Sequence, residues 1–162
     1  MRIYMSIFDI FKNNSSVNAD GDMPDISYQM NEYSADARRR SDIFVTVAKQ
    51  QDLEILAGRF GGEYNNDMLA AGEKNGQFLL MLGMKTTGSD GGIQLDKLSM
   101  GSFLQFSKPW LNMVVYSLRL SGTQLAIADK IESHVKDGSI SLAVAFIDME
   151  TKKLNIIPLT VQ

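Results

Sequence analysis

One histidine, His134, and no cysteine at all bound the chemistry open to this chain. Without thiols there is no disulfide, no thiolate nucleophile and no Cys-bearing zinc or iron–sulfur site. A single imidazole still permits a Ser-His-Asp relay, but excludes sites built from two or three histidine ligands of one chain. No G-x-S-x-G nucleophile elbow accompanies it. Asp129 and Glu132 stand five and two residues before His134, spacings that share its helical face poorly. The imidazole therefore reads as a group near a helix C-terminus, where the dipole favours a cation.

Carboxylates are plentiful, among them Glu63, Asp67, Glu73, Asp90, Asp96, Asp148 and Glu150. Any two could form a general acid/base pair, yet no spacing singles out a pair. Asn18, Asp20, Asp22 and Asp25 resemble part of a calcium loop. Counted from Asn18, the sixth and twelfth positions hold Met23 and Gln29, where an EF-hand needs Gly and Glu. The glycines of Gly88-Ser89-Asp90-Gly91-Gly92 lack the Lys-Ser/Thr that opens the helix behind a phosphate loop, so they read as a connection. No catalytic residue, metal site or cofactor is expected.

Arg38-Arg39-Arg40 is the one dense cationic run, flanked by Asp36 and Asp42. Arginine forks suit oxyanions or an acidic partner. The formal net charge of −3 argues against general phosphate-backbone binding, which calls for a basic surface. Ten methionines are spread through the chain, as core fillers or as an adaptable binding surface.

The elements that must position these residues follow from periodicity. Ile3, Ile7, Ile10 and Phe11 recur at helical spacing, so residues 1–12 are expected to form a short amphipathic helix. It lacks the apolar region and cleavage site of a secretory signal. Residues 13–34 are rich in Asn, Ser, Asp and Gly and read as a polar linker. From residue 35 onward one domain is expected. Ile43–Val47 is β-branched and suits a strand, with a helix over Lys49–Phe60 ending at Gly61-Gly62; one long helix is the alternative. Residues 61–76 read as loop-rich. Gln77–Met84 is apolar on both faces, with Phe78, Leu80, Leu82 and Met84 on one side, and reads as a buried strand. Ile93–Phe106 fits neither period. Trp110–Leu120 reads as a central strand. Thr123 is the expected N-cap of a helix reaching about Lys136, carrying Leu125, Ala128, Ile131 and Val135 on one stripe and stopped by Gly138. Ser139–Ile147 alternates cleanly and forms a hairpin with Leu154–Val161, where Pro158 marks a sheet edge.

The expected fold class is α+β: a mostly antiparallel sheet of five or six strands with two main helices, preceded by the short N-terminal helix and polar linker. With 162 residues, such a chain buries roughly two-thirds of its unfolded surface. The expected function is that of a non-catalytic protein–protein interaction protein, a small accessory, inhibitor or assembly component. Ile7, Phe8, Phe11, Arg38, Arg39 and Arg40 are its candidate partner-binding residues, and the partner is another protein or a second copy. In that case deleting residues 1–12 leaves folding intact and abolishes assembly. Contact of the N-terminal helix with a membrane surface is an alternative use. Two further readings are a hydrolase-like enzyme using Asp/Glu with a hard divalent metal, and a nucleic-acid module using Arg38–Arg40, the latter disfavoured by charge. No apolar run approaches the about 20 residues of a membrane span, and a cytoplasmic location is expected.

Overall fold

The computed structural model describes residues 7–8 and 37–162. Phe11, most of the expected 1–12 helix, the 13–34 linker and the side chains of Arg38 and Arg39 lie outside the described residues. Three α-helices, α1 (Ala37–Gln50), α2 (Lys108–Ser121) and α3 (Leu125–Asp137), accompany five strands: β1 (Glu54–Ile55), β2 (Met68–Lys74), β3 (Gln77–Thr86), β4 (Ser141–Asp148) and β5 (Lys153–Leu159). The strands lie in chain order in one mixed sheet. Every pair is antiparallel except β3–β4, which the α2–α3 crossover makes parallel. The class is α+β, as expected, with three helices among the described residues rather than two.

Two apolar layers sandwich the sheet. On one side Ile43, Phe44, Val47 and Ala48 of α1 pack on Met68, Ala70, Leu79, Met81, Ala143 and Ala145. Their spacing along α1 is helical, and this corrects the expected strand over Ile43–Val47: the β-branched residues fill a helix stripe, so packing overrides local preference. The helix then ends at Gln50, and Leu53 rather than a second helix follows it. Gly83 lets α1 lie close, because a Cβ there would stand 2.7 Å from the Phe44 ring.

Opposite, Trp110, Leu111, Val114, Val115 and Leu118 of α2 and Ala128, Ile131 and Val135 of α3 pack on Leu69, Ala71, Phe78, Leu80, Leu142 and Val144. Trp110 is fully buried, and burying such side chains stabilises by about 1.5–3 kcal/mol each. Here too a helix replaces an expected strand. Ser107 accepts a 3.3 Å bond from the Trp110 N–H, Pro109 sits in the first turn, and Gly122 closes the helix at φ 71°. For α3 the N-cap is Gln124 rather than Thr123. Its side chain donates to the Ile55 carbonyl (2.8 Å) and accepts from the Ala57 N–H (2.8 Å), covering the outer edge of β1.

Residues 61–76 are not all loop. Asn75 and Gly76 take φ of 53° and 80° and join β2 to β3 in a two-residue turn, pairing Lys74 with Gln77. The β4–β5 hairpin, the Gly138 stop and the edge position of β5 are as expected. No helix among the described residues is long and apolar enough to cross a membrane.

Candidate functional site

At the C-terminal end of β3, a polar network occupies the seam between the sheet and α2. Pairing with β4 passes from Leu82↔Val144 to Lys85↔Phe146, so β3 carries one extra residue there. Strict alternation would put Met84 with Leu80 and Leu82. Instead Met84 joins Met81 in the α1 layer, and Lys85 faces the α2 side. Asp67, just ahead of β2, has the parity of Leu69 and Ala71 and faces the same way. The Lys85 Nζ therefore stands 2.7 Å from Asp67 Oδ2, with both side chains at most one-tenth exposed.

Gln105 locks this pair. Its amide donates to Asp67 Oδ2 (2.8 Å) and to the Phe60 carbonyl (3.0 Å), while its oxygen accepts from Lys85 Nζ (2.9 Å) and the Asp96 N–H (2.7 Å). Ser99 donates to the same Phe60 carbonyl (2.9 Å) and accepts from Trp110 Nε1 (2.8 Å). These bonds pin the irregular 93–106 segment, which is why it shows no period. Burial pushes the Asp67 carboxyl above its ordinary value; the Lys85 charge and the bonds from Lys85 and Gln105 oppose this without cancelling it. Asp96 goes the other way. Partial burial would raise it, but the N–H groups of Leu98 (3.1 Å) and Gly62 (2.9 Å) and the charge of Lys85 hold it below the usual carboxylate range. Gly62 must be glycine: at φ 79° and ψ −173°, an added Cβ would sit 2.2 Å from the Asp67 carboxyl.

Two concavities flank a ridge formed by Gly62, Asp96 and Leu98. On one side is a polar cavity of about 610 Å³ over the Asp67–Lys85 pair, walled by Arg40, Thr86 and the Gly88–Gly92 loop. On the other is a groove of about 650 Å³ lined by Leu98, Met100, Met113, Tyr116 and Leu120, with Arg59 in its wall. Leu98 is 74%, Leu120 71% and Tyr116 57% exposed.

Of the residues expected to bind a partner, Ile7, Phe8 and Arg40 have described side chains, and these do not form one surface. Ile7 and Phe8 are 2% and 5% exposed, packed in the α1 layer of the chain's own core, and the Ile7 N–H donates to Gln51 Oε1 at 2.8 Å. Arg40 stands at the cavity wall, 3.6 Å from Glu63. His134 lies in the last turn of α3, which Gly138 closes. Its Nδ1 meets Ser139 Oγ at 2.7 Å, its ring stacks on Phe78, and the Ser139 hydroxyl donates to Asp137. Here serine lies between acid and imidazole, whereas a relay needs the imidazole in the middle. Among the described residues, no three His, Asp or Glu side chains come together as a metal-ligand group.

Neither the Asp67–Lys85–Gln105 network nor the groove was anticipated. A helical reading of Trp110–Leu120 would have separated Tyr116 and Leu120 from the buried stripe, and that is the signal for the groove. The network had none, since the bulge that turns Lys85 leaves no mark in composition. Compared with protein-family models, curated proteins and solved structures, the chain matches none.

Proposed function

We propose that the chain is a non-catalytic protein-binding module. Its groove takes an amphipathic segment of a partner protein that carries an apolar row and a carboxylate. The observation supporting this reading is the exposure of Leu98, Tyr116 and Leu120 around one groove. Clustered large apolar side chains left open to water are a cost unless something covers them. Met100 and Met113, half-buried in the groove wall, add unbranched side chains that adapt to an incoming surface.

Charge selects the occupant. Asp96 also lines the groove, but its two oxygens are held by the Gly62 and Leu98 amides. Arg59 is exposed, with a single bond to the neighbouring Gly58 carbonyl among the described residues (3.1 Å), so its fork is available to a partner carboxylate. A cytoplasmic location is part of the same proposal, and the cysteine-free composition accords with it.

The test is selection of displayed peptides on the immobilised full chain, with counter-selection on the Leu98→Asp/Leu120→Asp variant. Peptides with an apolar row and an acidic residue should be enriched, and Arg59→Glu should shift the preference toward basic ones. Equal enrichment on the double variant would refute the reading. So would light scattering that shows a dimer dispersed by the same substitutions, because a second copy would then be the occupant.

A further inference from the structure

We propose that the polar cavity above the Asp67–Lys85 pair is a second binding site. Its ligand is a small neutral molecule presenting a hydrogen-bond donor and an acceptor on one group, a hydroxyl or a carboxamide. This goes beyond the groove and does not depend on it.

The argument starts from hydrogen-bonding capacity. A lysine ammonium has three donors. Lys85 uses one on Asp67 Oδ2 and one on Gln105 Oε1, which leaves a third N–H among the described residues. Asp67 Oδ2 receives both Lys85 and Gln105, whereas Oδ1 accepts nothing among the described residues. Both side chains line the cavity. A group that accepts from Lys85 and donates to Asp67 Oδ1 completes the pair, and hydroxyls and primary amides do both.

Charge excludes the alternatives. The walls carry Arg40, Lys85 and Lys97 against Glu63, Asp67 and Asp96, and Asp90 stands beside them with one oxygen accepting from the Gly92 N–H. An anion meets these acids and a cation meets these bases, so neither gains a one-signed field. A neutral polar group avoids both repulsions.

The site is also built in advance. Gln105 has both amide hydrogens and its oxygen engaged, and the Asp96 N–H, the Phe60 carbonyl and Asp67 fix its plane. Lys85 is thus held at its two contacts before any ligand arrives, which limits the ordering cost of binding. Met84 and Leu95 contribute apolar wall for the body of the molecule, and the volume lies in the usual range for small-molecule sites. The cavity opens beyond the C-terminal end of β3, where the parallel β3–β4 pair begins its crossover; open sheets with parallel strands commonly bind ligands at such a place. A buried ion pair adds little stability over apolar residues of the same size, so retaining one at a cavity floor accords with a binding role.

The experiment is amide chemical-shift titration of the full chain with two probes, glucose for the hydroxyl arm and propionamide for the carboxamide arm. Gluconate, glucosamine, propionate and propylamine serve as charged controls. Saturable shifts are expected at Gly62, Thr86, Gly88 and Gly92 with one neutral probe or both, and which one identifies the source. The charged controls should bind about tenfold more weakly. Lys85→Met should weaken binding about tenfold. Gly88→Leu provides a variant that leaves the network untouched: a Cβ there meets only Asp90 Oδ1 at 3.4 Å and the Gly92 carbonyl oxygen at 3.8 Å, and because Gly88 lines the cavity the larger side chain should block binding. Leu120→Asp should leave the shifts unchanged, which separates this site from the groove. The proposal is overturned if neither neutral probe saturates by about 100 mM, if a charged control binds as well as its neutral parent, or if Gly88→Leu binds as the wild type does.

Discussion

Replacing Lys85 by Met leaves the Asp67 carboxylate buried without its counter-charge, and the consequence can be worked out from the geometry. The two side chains are 10% and 7% exposed and 2.7 Å apart, so solvent screens their interaction little. Removing one partner of such a pair costs about 3–5 kcal/mol. For a chain of this length that is a fall in Tm of roughly 6–20 °C. The double substitution Lys85→Met/Asp67→Leu should recover most of the loss, because Gln105 keeps the Phe60 carbonyl and the Asp96 N–H as partners. The dependence on pH has a definite sign. Asp67 titrates in the folded state above its unfolded value of 3.8, so its contribution is fully present below 3.8 and is lost as pH rises through the folded value. Without Lys85 the lowering influences shrink, the folded value climbs further and the window widens upward. The Tm gap between Lys85→Met and wild type should therefore be smaller at about pH 4 than at about pH 7. Thermal melts followed by circular dichroism at both pH values decide the matter. A gap that does not change with pH, or a double variant no more stable than the single, would refute the reasoning.

Three other substitutions probe the supports of the site and core. Gly62→Ala, with φ 79° and its Cβ 2.2 Å from the Asp67 carboxyl, should cost about 1–3 kcal/mol in urea unfolding; an unchanged midpoint would contradict the close approach. Trp110→Phe removes the 2.8 Å bond to Ser99 and part of a fully buried side chain, and should lower stability by about 1–3 kcal/mol in the same assay. Ile7→Ala should cost about 2–5 kcal/mol, since Ile7 is 2% exposed within the α1 layer; a silent substitution would show that residues 7–8 do not belong to the folded core.

The fold class was legible because its outer parts obey simple periods. Ser139–Ile147 alternates, Ala128, Ile131 and Val135 form one buried stripe although Leu125, expected on it, is 52% exposed, and Gly138 and Pro158 sit where a stop and an edge require them. The misread segments were those in which β-branched and aromatic residues fill helices. Ile43–Val47 and Trp110–Leu120 look extended locally, but their buried positions recur at i, i+1, i+4 and i+5, the spacing of a helix against a sheet. Asn75-Gly76 was a readable hairpin turn between two apolar runs, and it was hidden by the polar residues before it. The site was less legible than the fold. Asp67, Lys85 and the Asp96/Gln105 pair come from three separate stretches of chain, and only the β3 bulge and the ordered 93–106 segment bring them together. Single-residue spacing carries no trace of that.

The groove is the centre of the functional account, and the affinity of one selected acidic, amphipathic peptide tests it most directly. Isothermal titration against wild type, Leu120→Asp and Arg59→Glu, with thermal melts as a control on folding, gives the comparison. The account predicts a loss of tenfold or more for Leu120→Asp, at least about 1.4 kcal/mol, and a smaller salt-sensitive loss for Arg59→Glu, with melts close to wild type. Equal affinity for all three folded proteins would contradict it.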